Sequence, residues 1–125
     1  MPRHPFTVTG RLRSFRFAFA GIRLMLVNEH NAWLHAAATV VVIVLGATLH
    51  LSRPDWCLLT LAVVSVWVAE ALNTAFEFLC NVASPDFHPM VEKAKDVAAG
   101  AVLLAAIGAT IVGLLVFVPA FSQLR

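Results

Sequence analysis

Residues Glu70-Ala71-Leu72-Asn73-Thr74-Ala75-Phe76-Glu77 set two carboxylates and an amide inside an apolar run, Trp56 to Cys80, that is long enough to cross a bilayer. Each helical residue advances ~100°, so positions 70, 73 and 77 project within ~60° of one another. Ionisable groups at membrane depth are costly and face a bundle interior or a water-filled cavity. This face is therefore expected to be a working site. The alternative is a polar cluster that only ties helices together. Interhelical polar bonds in membranes average ~0.6–1 kcal/mol, too little to favour two carboxylates where one amide would serve.

The composition around this stretch points the same way. Of 125 residues, 60% are hydrophobic and 13% charged, against roughly half and a quarter in soluble domains. So short a chain has no interior large enough to hide that surface. The expected class is an all-α integral membrane protein, a single domain over 1–125, with no nucleic-acid partner. Cys57 and Cys80 fall at opposite ends of one expected helix, ~35 Å apart at 1.5 Å per residue, so they cannot pair within the chain. Both read as buried small hydrophobes. No secretory h-region precedes the first apolar run.

Residues 1–9 hold two prolines and no period, and read as a flexible tail. Over 10–29, Leu12, Phe15, Phe19, Ile22 and Leu26 step by three and four onto one face, while Arg13, Arg16 and Arg23 gather on another sector. This is the pattern of an N-terminal amphipathic helix lying in the membrane interface. Three transmembrane helices are expected at 31–51, 55–81 and 94–121. Ser52-Arg53-Pro54-Asp55 forms the turn between the first two, with Pro54 placed to begin a helix. Asn81 to Asp96 is the long polar connection between the second and third. In the last span Ala101, Ala105, Ala109 and Gly113 recur every fourth position, a stripe suited to close helix approach.

Seven of the nine basic residues precede the first span or lie between the second and third; only Arg53 and Arg125 lie opposite. The positive-inside rule then places the N-terminus and the 81–96 connection in the cytoplasm. Glu29, Glu77, Lys95 and Asp96 reach one membrane–cytoplasm boundary, and Glu70 lies ~10 Å deeper than Glu77 along its helix.

Carboxylates at Glu29, Glu77 and Asp96, the cation Lys95, the amide Asn73 and the deeper Glu70 together suit phosphoryl transfer. Mg²⁺ takes one or two carboxylates and completes its shell with water and phosphate oxygens, and lysine is a point charge for phosphate. A desolvated glutamate is suited to take a proton from a hydroxyl. No glycine-rich phosphate loop is present. On these residues alone, a small ion- or proton-conducting protein using the Glu70/Glu77 face stands as the alternative.

The stretch 70–77, followed by His88-Pro89 and Lys95-Asp96-Val97-Ala98-Ala99-Gly100, with Glu29, Asn31 and His35 upstream, resembles the prokaryotic diacylglycerol kinase family. The likeness runs from Arg11 to Phe121. It implies a trimeric three-span kinase of the bacterial inner membrane that moves the γ-phosphate of Mg-ATP to a lipid hydroxyl. By position, Glu70 would be the general base that meets the lipid substrate, and Glu29 and Glu77 the ligands of the divalent cation. Those two with Asn73, Lys95 and Asp96 would line the nucleotide and phosphate site. Asn31/His35, His88-Pro89 and 97–100 look more like the undecaprenol branch than the diacylglycerol branch. One departure is Trp33, where that pattern has an arginine. Among the remaining polar residues, His35 reads as a buried hydrogen-bonding residue, His88 as a turn residue, Trp67 as a packing residue, and Glu92 and Lys93 as solvated.

Overall fold

The computed structural model describes residues 5–124; residues 1–4, part of the expected tail, and Arg125 lie outside them. Among the described residues every regular element is an α-helix: α1 (Val8–Asn28), α2 (His30–Thr48), α3 (Arg53–Ala83) and α4 (Pro89–Ser122). The last three are long and apolar enough to cross a membrane.

Each boundary has a local cause. Thr7 caps α1, its hydroxyl accepting from the Gly10 N–H at 3.2 Å. One extended residue, Glu29 (φ −109°, ψ 118°), ends α1 and begins α2. At the far end of α2, the Leu51 N–H bonds the Gly46 carbonyl and the His50 N–H that of Ala47. His50 takes φ 52° to allow it. This is a Schellman closure with histidine in the left-handed position that glycine usually fills. Ser52 then caps α3: its hydroxyl accepts from the Asp55 N–H and donates to the Asp55 carboxylate at 2.9 Å. Arg53 and Pro54 fill the first turn, as the turn chemistry predicts.

The longest departure from expectation lies between α3 and α4. The polar connection is 84–88, not 81–96. His88 caps α4, its Nδ1 accepting from the Met90 N–H at 3.2 Å, and Pro89 opens the helix. Glu92, Lys93, Lys95 and Asp96 therefore ride on helix, and Lys95 and Asp96 lie well past its cap. Charge sets how deep a segment can sit in a membrane; it does not prevent the segment from being helical. At 1.5 Å per residue α3 and α4 measure ~46 and ~51 Å, well beyond a ~30 Å hydrocarbon layer.

Packing is uneven. α4 lies along α3, α2 also packs on α3, and α1 touches α2 and α3. The register of α2 against α3 is antiparallel, fixed by Glu70 on His35, Trp67 on Thr39 and Trp56 on Gly46. Among the described residues only seven apolar side chains are buried, Met25, Ala32, Leu59, Ala62, Val66, Cys80 and Val116, so most large apolar side chains point outward. Leu12, Phe15, Phe19 and Ile22 of α1 are among the exposed residues. One expectation changes: Cys57 is exposed, on the outward side of α3, while Cys80 is buried. Within the chain, the small-residue stripe of α4 is open at Gly113, where a Cβ would meet nothing within 4 Å. Ala106, Ala109 and Gly113 border an open apolar cleft of about 360 Å³ that α2 and α3 also line.

The close approach is at Gly46, where a Cβ would lie 2.6 Å from the Trp56 ring. Gly46→Leu should lower stability by about 1–3 kcal/mol through overpacking. Gly108→Leu, which enters open space, should leave it unchanged or raised. Apparent Tm of the two variants in detergent checks the difference.

Candidate active site

Two polar groups of different depth occupy the face of α3 that carries 70–77. The deeper one centres on Glu70, whose side chain is 1% exposed. Its Oε2 lies 3.3 Å from His35 Nε2 on α2. Its Oε1 is buried and has no hydrogen-bond partner. The Glu70 carbonyl accepts from the buried Thr74 hydroxyl at 2.9 Å, and Trp67 Nε1 donates to Thr39 Oγ1 at 3.0 Å. His35 thus makes the kind of hydrogen bond expected of it while being half-buried rather than buried, and Trp67 packs while also donating a hydrogen bond. The missed partners, Thr39 and Thr74, each stand four residues from a polar residue already singled out, the spacing that puts them on the same helix face.

The outer group is a polar cleft of about 250 Å³ between α3 and α4, lined by Asn73, Phe76, Glu77, Glu92, Lys95, Asp96 and Ala99. It brings four of the expected residues together. Its walls are two helical stripes, 73, 76 and 77 on α3 and 92, 95, 96 and 99 on α4, and Asn81 follows one turn beyond Glu77. Lys95 Nζ donates to Asn81 Oδ1 at 3.3 Å, binding the stripes to each other. Glu92, expected to be merely solvated, borders the cleft because α4 begins at Pro89. Asn81 was also missed, although it extends the 73/77 spacing by one more turn. Neither Glu29 nor Glu70 lines this cleft. Trp33, in the place of the usual arginine, is 66% exposed and lines no part of it.

Glu29 belongs to the same neighbourhood by charge. Burial, then the carboxylates of Glu77 and Glu70, push its carboxyl above the ordinary range, with His30 acting the other way. Its extended backbone leaves the side chain free of any capping bond to α2, although the N-terminus of that helix favours an anion. Mutually repelling carboxylates are a donor set that a hard divalent cation relieves. Among the described residues no three His, Cys, Asp or Glu side chains stand close enough to enclose a metal ion. Such an ion would need oxygens from water or a phosphate to complete its shell, as Mg²⁺ characteristically does. The residues present fit the group.

Residues 16–117 match the model of the prokaryotic diacylglycerol kinase family. The chain belongs to that family. It is 37% identical over 107 residues to the undecaprenol kinase of Bacillus subtilis (strain 168), covering 86% of this chain and 87% of that one. It is 39% identical over 114 residues to a diacylglycerol kinase of Synechocystis sp. (strain PCC 6803), covering 90% of this chain and 65% of the relative. Against the diacylglycerol kinase of Escherichia coli (strain K12) it is 27% identical over 100 residues, 80% of this chain and 82% of that one. Kinase family membership decides between lipid phosphorylation and ion conduction: the chain is a membrane-embedded lipid kinase.

A raised carboxylate pKa carries a sign. Ionised Glu29 costs the fold stability at pH above its raised pKa, and the cost vanishes as pH falls below the ordinary carboxylate range. Without divalent metal, Glu29→Gln should therefore raise apparent Tm at pH 8 and leave it unchanged at pH 4. Thermal scans of both proteins at the two pH values check this.

Proposed function

We propose that this kinase transfers the γ-phosphate of Mg-ATP to the hydroxyl of a long-chain lipid alcohol, with undecaprenol ahead of diacylglycerol. The observation that carries the reading is the pairing of a buried carboxylate, Glu70, with an open polar cleft one to two turns further out on the same helix face. One site suits a lipid hydroxyl arriving from the bilayer. The other suits phosphates arriving from water.

Glu70 acts as general base. The lipid O–H proton passes to its carboxylate as the hydroxyl oxygen bonds to the γ-phosphorus. The bond from that phosphorus to the bridging oxygen breaks, and ADP leaves. Glu29 and Glu77 would hold the Mg²⁺, whose charge, when bound, offsets that of the phosphate oxygens. Lys95 contributes a cation to the nucleotide phosphates, exchanging its bond to Asn81 for one to phosphate. Asn73 and Asp96 orient the nucleotide from the two walls of the cleft. The chain works as a homotrimer in the bacterial inner membrane, with its N-terminus and the 84–88 connection in the cytoplasm. The outward-facing apolar surface of α2, α3 and α4 is compatible with both lipid and neighbouring subunits.

The preference for undecaprenol rests on Asn31/His35, the His88-Pro89 cap and residues 97–100. A relative named undecaprenol kinase, aligned over 87% of its own length, supports it. The apolar cleft below His35 offers a long alkenyl chain a lining of side chains from α2, α3 and α4.

Purified protein, labelled ATP and the two lipids test the reading together. Undecaprenol should be phosphorylated with the higher kcat/KM; a diacylglycerol preference reverses the substrate assignment, and no transfer to either lipid defeats the mechanism. Glu70→Gln should lower kcat by roughly 10²–10⁴-fold with Mg-ATP binding retained. Glu77→Gln should instead weaken nucleotide binding in a Mg²⁺-dependent way, read by titration at several metal concentrations.

A further inference from the structure

Glu70 is almost wholly enclosed, yet its two oxygens are in different situations: Oε2 faces His35 Nε2 at 3.3 Å, and Oε1 has no partner. Buried polar atoms left unpaired are costly and uncommon in native proteins. The terminal torsion of glutamate is broad and roughly two-fold, so an unrestrained carboxylate would exchange its oxygens freely. The imidazole removes that freedom.

His35 is itself braced. The Thr39 hydroxyl donates to the His35 carbonyl at 2.7 Å and accepts from Trp67 Nε1 at 3.0 Å. The Trp67 ring stands edge-on to the imidazole, centroids 6.1 Å apart and planes at 71°. Trp67 lies one turn before Glu70 on α3. The helix that carries the carboxylate therefore also fixes the ring that orients it, and the four side chains close a loop between α2 and α3. His35, Thr39 and Trp67 also line the apolar cleft, so this loop forms the boundary between the lipid's tail and the base.

We infer that His35 is a positioning residue for the general base, Glu70. Its Nε2–H donates to Oε2 and holds the Glu70 carboxylate with Oε1 as the oxygen presented to the lipid hydroxyl. The proton leaving that hydroxyl goes to Oε1, and the imidazole neither gains nor loses one. The inference rests on Glu70 as general base. Productive geometry in such sites is held within roughly 0.5 Å and 10–20° by groups of this kind.

The test compares His35→Leu, His35→Gln, Glu70→Gln and the double variant His35→Leu/Glu70→Gln, in detergent micelles with Mg-ATP and the preferred lipid. Loss of the donor in His35→Leu should lower kcat about 10- to 100-fold, part of what a general base contributes, with both KM values within about twofold. His35→Gln places an amide N–H close to the lost Nε2–H and should return kcat to within about threefold of the parent, since the donor is what matters. On the Glu70→Gln background, removing His35 should cost nothing further, because residues that act as a unit are not additive. Where His35→Leu fails to accumulate in membranes, His35→Asn, whose amide is too short to reach Oε2, takes its place with the same expected loss. Parental kcat in His35→Leu, equal loss in the Leu and Gln variants, or a full additional loss in the double variant overturns the inference. If Glu70→Gln is inactive while His35→Leu is parental, only the positioning role fails. If Glu70→Gln is active, the assignment of the base fails with it.

Discussion

The thickness of a bilayer is fixed, and α3 and α4 are longer than it. A hydrocarbon layer of ~30 Å accommodates about 20 helical residues, whereas these helices have 31 and 34. The surplus must stand in the headgroups or beyond, and Glu77, Asn81, Glu92, Lys95 and Asp96 are the polar residues at the adjoining ends of α3 and α4 that suit such a position. The same constraint leaves Glu70 on the lipid side of the boundary, where only a protein partner can satisfy it. His35 supplies one. Depth along a continuous helix thus separates a buried carboxylate from a wet polar cleft without any loop to build either.

The scarcity of buried apolar residues follows from the same setting. In water so exposed a set of helices would have no reason to hold together; in lipid, apolar side chains gain nothing by turning inward, and association relies on fitted contacts and polar bonds. The contacts between α2 and α3 show this economy: one tryptophan over one glycine at the end away from the polar cleft, and two side-chain hydrogen bonds nearer Glu70. Between α2 and α4 the space stays open. Small residues along α4, Ala106, Ala109 and Gly113, leave room for that opening within the chain.

Much of this was legible in the residues. Span number and order followed from hydropathy, and the start of α3 from Ser52, Pro54 and Asp55. The shared face of 70, 73 and 77 followed from helical spacing alone. The start of α4 was not legible because Glu92, Lys93, Lys95 and Asp96 look like loop when polarity is taken for irregularity; His88 and Pro89 were the signals that a helix begins there. Glu92 is exposed as expected, but its place beside the cleft was hidden for the same reason. The partner of Glu70 could not be read at all, since His35 is a single residue on another helix and no periodicity within one segment can register two. Thr39 and Trp67 offered a faint clue, each spaced to share a face with the residue it supports.

Glu29 is the only residue between α1 and α2, and it is extended while both neighbours are helical. That makes it a pivot. α1 is ~30 Å long, so a rotation of about 10° at this joint swings its far end by about 5 Å while the residue at the fulcrum barely moves. A swing of α1 in the headgroup layer would leave the Glu29 carboxylate, at the hub, within the field of Glu77. A membrane is a restless solvent, and a single non-helical residue would insulate Glu29 from it.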